Sequence, residues 1–256
     1  MKSVIKYVLI IWTAIFLNGC GGGDSAPGVS VASLQGTWYG ALWEGTYYLE
    51  ASITFDNAGK ITSFSWGGEP QDTGTTKLDQ GRVFAYAMTK DSGALLLDNT
   101  GQYLAFASDN IGDIGFFQKD GSGYPADFRD ADIIAKWSGY SVSLTFDAEI
   151  DQLFTSSADV SGGSPGVNYG TFVASDSLGG DSTGVFLNYH QTVGLWLGEG
   201  NTVGEGAFEL LVWLSADKKA AFTIGCDPGA MYNDPVVGKV YIIDFTGCSY
   251  TVWNKG

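Results

Sequence analysis

One histidine and three cysteines among 256 residues bound the chemistry open to this chain. Any catalysis by a Ser-His-Asp or Cys-His arrangement must run through His190. His190 sits in Asn188-Tyr189-His190-Gln191-Thr192, which reads as a solvated turn. Gly162-Gly163-Ser164-Pro165-Gly166 has the letters of a nucleophile elbow. No helical pattern follows it, and Pro165 lacks the backbone N–H that the residue after the nucleophile gives to an oxyanion hole, so a turn is expected there. The thiol and imidazole supply is too small for a four-cysteine zinc site or one of two cysteines and two histidines. Acidic clusters at 109–113, 127–132, 176–181 and 227–234 lack EF-hand spacing and read as solvated turns. A pair of these carboxylates is the one remaining route to acid/base work, on a glycosidic bond, and their separation is a tertiary matter. No catalytic residue, metal or cofactor is expected. With 28 acidic against 13 basic side chains and a net charge of -15, nucleic acid is excluded as a partner.

Aromatic residues are plentiful: 8 Trp, 13 Tyr and 15 Phe, enough with 45% hydrophobic residues to bury a core. Trp38, Trp137 and Trp213 fit core positions. Trp43 and Trp66, near Tyr47 and Tyr48, are the candidate lining of a pocket or a sugar platform, set against a plain core role for the same residues.

The first twenty residues carry a more specific signal. Lys2 and Lys6 precede an uncharged apolar run from Tyr7 to Leu17. As a helix that run spans roughly 16 Å, too short for a hydrocarbon core of about 30 Å but suited to a secretory signal. Leu17-Asn18-Gly19-Cys20 follows and resembles the lipobox of bacterial lipoprotein precursors. The resemblance implies that residues 1–19 are a signal peptide, that the Gly19–Cys20 bond is cut, and that the Cys20 thiol carries a diacylglyceryl group. Gly21 stands where the inner-membrane retention signal has Asp, so the resemblance favours an outer-membrane address over an inner one. Residues 20–32, rich in Gly and Ser, read as a flexible tether. With Cys20 assigned to lipid, Cys226 and Cys248 remain as an even pair in an exported protein, for which a disulfide is expected.

The remainder must be built from short strands. Gly is abundant at 37 residues and Pro scarce at six. Apolar alternation at 47–55, 61–66, 83–88, 94–97, 102–107 and 115–118 is separated by turns such as Asp56-Asn57-Ala58-Gly59 and Asp98-Asn99-Thr100-Gly101. The best helical candidate is the short stretch 128–135. A tandem duplication is also visible, with Trp38 against Trp137, Phe84 against Phe172, Leu104 against Leu195 and Phe117 against Phe208. This predicts an all-β chain: repeat 1 at 33–120, a linker at 121–131, repeat 2 at 132–211, and C-terminal strands at 212–256 that carry the disulfide and pack on repeat 2. The units are small antiparallel barrels or sandwiches, or two halves of one larger barrel, with a β-propeller as the alternative. Gly36-Thr37-Trp38 resembles the Gly-x-Trp opening of lipocalin-type barrels, where Trp packs across the barrel floor. Ala135-Lys136-Trp137 departs from it.

These features predict a lipid-anchored extracytoplasmic β protein of the bacterial cell envelope that binds or interacts and does not catalyse. A surface glycan-binding or glycan-hydrolysing module and a structural envelope-assembly lipoprotein are the alternatives. The expected partners are the membrane, through lipid on Cys20, and a small apolar ligand, a glycan or an envelope protein.

Overall fold

The computed structural model describes residues 29–44, 48–70, 72–108, 113–121, 128–144, 150–164, 168–190, 194–229, 231–234, 239–242 and 248–256. Gly19, Cys20, the tether up to residue 28, and Tyr47 lie outside the described residues.

Two closed antiparallel barrels follow one another along the chain. The first comprises β1 (Gly36–Glu44), β2 (Tyr48–Phe55), β3 (Lys60–Trp66), β5 (Gly74–Gln80), β6 (Val83–Met88), β7 (Ser92–Leu97), β8 (Tyr103–Ser108) and β9 (Asp113–Lys119), with β4 (Glu69–Pro70) a two-residue extension on β3. The second comprises β10 (Lys136–Leu144), β11 (Ile150–Gly162), β12 (Gly170–Asp176), β13 (Asp181–His190), β14 (Leu195–Thr202), β15 (Gly206–Leu214), β16 (Ala220–Cys226) and β19 (Ser249–Lys255). A hairpin of β17 (Met231–Asp234) and β18 (Lys239–Ile242) is inserted between β16 and β19. Each strand pairs with its successor, and the last strand of each barrel returns to the first, β9 to β1 and β19 to β10.

The expected turn chemistry makes the hairpins. The Asp56 carboxylate accepts the backbone N–H groups of Ala58 and Lys60, both at 2.9 Å, and Gly59 takes φ 77°. Asp176 does the same for Leu178 and Gly180, at 2.8 and 3.0 Å.

Both barrels open alike. A one-turn 3-10 helix (Val31–Leu34 and Asp130–Ile133) buries its last residue, Leu34 or Ile133. Four residues later Trp38 and Trp137 donate their indole N–H groups to those residues' carbonyls, at 2.7 and 3.0 Å. Buried, hydrogen-bonded tryptophan is a stable floor, because the large ring is desolvated without orphaning its donor. From the last strand, Lys119 lies 5.2 Å over Trp38 and Lys255 5.6 Å over Trp137. Two residues beyond each Trp stands a glycine. A Cβ at Gly40 would fall on the Phe116 carbonyl, and one at Gly139 on the Val252 carbonyl, so only glycine lets the closing strand approach. Thus Ala135-Lys136-Trp137 builds the same floor as Gly36-Thr37-Trp38.

The units are separate barrels, neither halves of one barrel nor propeller blades. The ladders also correct the alignment of the copies. Trp38 does match Trp137, but β6, β7, β8 and β9 correspond to β14, β15, β16 and β19, so Phe84 matches Trp196, Leu104 matches Ala221 and Phe117 matches Trp253. The letter-based pairing slips these strands by two. A two-strand slip in an up-and-down barrel preserves both strand direction and the inward face, so hydrophobic pattern hardly resists it. Residues 220–226 and 249–255 are therefore the seventh and eighth strands of the second barrel, which runs past residue 211 to the C-terminal strand.

The barrels pack on each other through corresponding outer faces. Ala41, Trp43, Tyr103 and Phe116 of the first meet Trp213, Phe222, Tyr250 and Val252 of the second in one buried cluster. The Phe116 and Phe222 rings lie 6.0 Å apart. Polar contacts reciprocate. Gln118 on β9 donates its amide to Asp217 at 3.3 Å, and Asn254, at the matching place on β19, donates to Asp98 at 2.8 Å. Asp98 accepts the Thr100 hydroxyl at 2.5 Å, and Asp217 accepts the Ser215 hydroxyl at 2.8 Å, so matching turns hold the same pair in swapped order. Equivalent patches facing each other make the contact isologous, as in a two-fold dimer. Burial and then the Asp217 hydrogen bond push the Tyr103 phenol up, so it stays a neutral donor to that carboxylate at 2.7 Å.

Candidate functional site

The barrels differ in what fills them. Through the ladders, Trp38 faces Ile53 and Ile53 faces Phe64, while Trp137 faces Ala158 and Ala158 faces Ala174. Inward Leu42, Ile53, Phe64, Tyr86 and Phe106 of the first barrel thus correspond to Ser141, Ala158, Ala174, Gly198 and Thr223 of the second. The first interior is packed with aromatic rings; Phe106 alone lies 4.8 Å from Tyr86, 5.6 Å from Phe64 and 6.3 Å from Phe117. Small residues leave the second with a cavity of about 690 Å³.

That cavity runs from the Trp137 and Trp253 indoles to the turns 176–180 and 202–206. Phenyl rings and hydroxyls are unevenly shared between its sides; Phe154 on β11, cross-strand from Ser141, also lines it, as do Ser182 of β13 and Thr202 of β14, whose hydroxyl oxygens lie 2.8 Å apart. On β12, β13 and β15 stand Phe172, Phe186 and Phe208, with the Phe172 ring 5.5 Å from Phe186 and 6.1 Å from Phe208. On β10, β11, β16 and β19 stand hydroxyls. Ser141 Oγ lies 2.6 Å from Thr251 Oγ1 and 2.7 Å from Ser156 Oγ, and Trp253 donates its indole N–H to Thr223 Oγ1 at 2.8 Å. Among the described residues that line the cavity, the charged side chains are Asp176, Glu205 and Asp227, all at the turn end; none is cationic.

The outer face of the hydroxyl strands explains their inner one. Ala220, Phe222 and Ile224 of β16, and Tyr250 and Val252 of β19, point away from the cavity into the contact with the first barrel. Burial pushes the Tyr250 phenol up, consistent with a neutral core residue. The apolar alternates of these strands are spent on the other barrel, leaving Thr223, Gly225 and Thr251 for the inside. The disulfide between Cys226 and Cys248 is formed and joins β16 to the start of β19 at the cavity rim, across the base of the inserted hairpin.

Of the aromatics singled out in the sequence, Trp43 and Trp66 do not share a site. Trp43 is 8% exposed and lies in the cluster between the barrels, so it cannot serve as a platform for a ligand. Trp66 packs edge-on to Phe64, with ring centroids 5.0 Å apart, against the first barrel's core. The two lie on opposite faces of the sheet. The backbone of Tyr48 pairs with Trp43. Its side chain, like Tyr47, falls outside the described residues. Trp213 is buried as expected, though between the barrels and not inside one. His190 is the last residue of β13 and not a turn residue. The Ser164 carbonyl accepts the Asn168 N–H at 3.1 Å, and Pro165 and Gly166 lie outside the described residues. Among the described residues no three His, Cys, Asp or Glu side chains converge as a metal site would require.

Ser141, Ser156, Thr223 and Thr251 were missed by sequence reading. Their signal is present as hydroxyls at alternate strand positions, but a small polar face beside a large apolar one reads as solvent-facing.

No protein-family model matches the sequence, and no curated protein matches it. A solved structure of a protein of unknown function from the DUF3598 family of Nostoc punctiforme is similar, with 10% identity over 90% of this chain and 100% of that one, at a TM-score of 0.36.

Proposed function

We propose that the chain is a non-catalytic binding protein whose second barrel takes up a small amphipathic ligand. The unfilled second interior, set beside a filled first interior on the same frame, carries this reading. Packed interiors are normally close to crystal density, so a volume of about 690 Å³ held open by small residues is a feature to be explained. Phenyl rings and hydroxyls together give the mixed lining that ligand pockets need for affinity and orientation. Trp137 and Trp253 line the cavity floor, so intrinsic tryptophan fluorescence is a direct reporter. Titration with amphipathic small molecules is expected to shift it saturably, and Ala174→Phe, which restores the residue found in the first barrel, is expected to abolish the shift. Binding that survives this substitution unchanged would place the ligand elsewhere.

The lipobox supports a second part of the proposal, that the protein is held at the bacterial cell envelope by lipid on Cys20. Two or three acyl chains suffice for stable anchoring, at ~0.8 kcal/mol per buried methylene. Cys20→Ser is expected to abolish incorporation of labelled palmitate and leave the precursor uncut. Normal labelling of that variant would refute the anchor.

A further inference from the structure

We infer that the ligand of the second barrel is electrically neutral and carries hydrogen-bond acceptors along one edge, opposite a hydrocarbon or aromatic flank. This rests on the cavity being the binding site, as proposed above.

The hydroxyl side has a definite donor supply. Thr251, Ser141 and Ser156 form a chain of three oxygens joined by two hydrogen bonds, at 2.6 and 2.7 Å. Each hydroxyl has one hydrogen, so one O–H of the chain is left to point outward. Thr223 spends a lone pair on the Trp253 indole, at 2.8 Å, and keeps its own hydrogen. Ser141, Thr223 and Thr251 line the cavity and are 1%, 8% and 5% exposed, so each presents only a small surface to a ligand there. A carbonyl, ether or hydroxyl oxygen satisfies them. The phenyl rings of Phe172, Phe186 and Phe208 offer nothing polar and take the apolar flank; the Ser182 and Thr202 hydroxyls on that side are paired with each other, at 2.8 Å, by the turn end.

The charge inference follows from what would meet an ion. A carboxylate that loses its hydration needs a cation or several oriented donors. Among the described lining residues there is no Lys, Arg or His, and the three charged ones, Asp176, Glu205 and Asp227, carry the ligand's own sign. An anionic amphiphile is therefore selected against both at the rim and inside. Among the described lining residues the counter-charges open to a cation lie at the turn end, where Asp176, cross-strand from Ser156, already accepts the Leu178 and Gly180 N–H groups. Leu178 and Val203, 54% and 78% exposed at the tips of the two turns that edge the cavity, give an apolar rim by which a poorly soluble neutral molecule enters.

The test compares lauryl alcohol with laurate, two probes of equal chain length, by tryptophan quenching at neutral pH. The alcohol is expected to bind at least about tenfold more tightly, the scale of one unmet hydrogen bond or uncompensated charge. Ser141→Ala and Thr223→Val, made separately, are expected to cut alcohol affinity several-fold. They should leave the small affinity for laurate where it was. Two variants are needed because Thr223→Val also strands the Trp253 donor. Laurate binding as tightly as the alcohol, or alcohol affinity indifferent to both substitutions, would overturn the inference while leaving the cavity as the binding site. Failure of both probes to bind would overturn the binding reading along with it.

Discussion

Opposite Ile53 in the first barrel stands Phe64; opposite Ala158, at the matching place in the second, stands Ala174. The frame around each is the same: a 3-10 turn, a Trp bonded back to it, a glycine two residues on, and a lysine over the indole. An eight-stranded frame therefore does not depend on a filled interior when its floor is packed and one flank is covered. The second barrel has both, with Trp137, Trp196 and Trp253 at the floor and the first barrel against β16 and β19. One barrel acts as a packed support, and the other is free to hold a cavity.

Exchange at the matched position should expose this division most strongly. Phe64→Ala removes a ring from a packed interior and is expected to cost about 3–5 kcal/mol, read as a lower urea midpoint. The reverse exchange, Ala174→Phe, puts the ring into open space. Its stability change should stay within about 2 kcal/mol of zero while ligand binding is lost. Equal large losses from both would mean that the second interior is as tightly packed as the first.

The disulfide is the next largest asymmetry. It closes a segment of sequence separation 22 in the second barrel, and β8 and β9 of the first have no such link. Replacing Cys226 and Cys248 together by serine is expected to cost roughly 3 kcal/mol by the chain-entropy model. The loss should vanish when wild type is compared with the variant under reducing conditions.

The smallest effect separates the two entry turns by pH. In the first, Ser33 Oγ accepts the Ser30 N–H at 3.1 Å; in the second, the Asp132 carboxylate accepts the Arg129 N–H at 2.8 Å and pairs with Lys218 at 2.8 Å. Burial pushes the Asp132 carboxyl up, but the Lys218 hydrogen bond, the Arg129 N–H and the charges of Lys218 and Lys255 outweigh it and hold the group below its ordinary value. A carboxyl depressed by folding adds stability above its unfolded value, about 4, and that stability is lost as pH falls through the folded value. Asp132→Asn should therefore lower the urea midpoint at neutral pH and have little effect in stronger acid. Ser33→Ala should give a difference that does not vary with pH. A pH-independent effect of Asp132→Asn would show that the ion pair contributes nothing.

Much of this architecture is legible in local pattern. Strand alternation and turns such as Asp56-Asn57-Ala58-Gly59 report backbone preferences that act over a few residues, and they appear where expected. The duplication is equally visible at Trp38 and Trp137. The register of the later copies is not, because β10 closes on β19, more than a hundred residues away, and nothing local to either strand names its partner. The place of Trp43 is hidden from the sequence for a related reason. Trp43 looks like an exposed aromatic on a strand whose other face holds Trp38 and Leu42. Its actual neighbour is the second barrel.

From sequence alone, then, come the all-β class, the two-unit plan, the tryptophan of each floor and the cysteine pair, since these follow from local conformational preference and from composition. Which strands close which barrel, which face of β16 and β19 looks inward, and that one interior is filled while the other is open, were decided only by tertiary structure. Alternation specifies that a strand has two faces. Only packing assigns a face to a core, a partner or a cavity, because all three remove the same side chains from water.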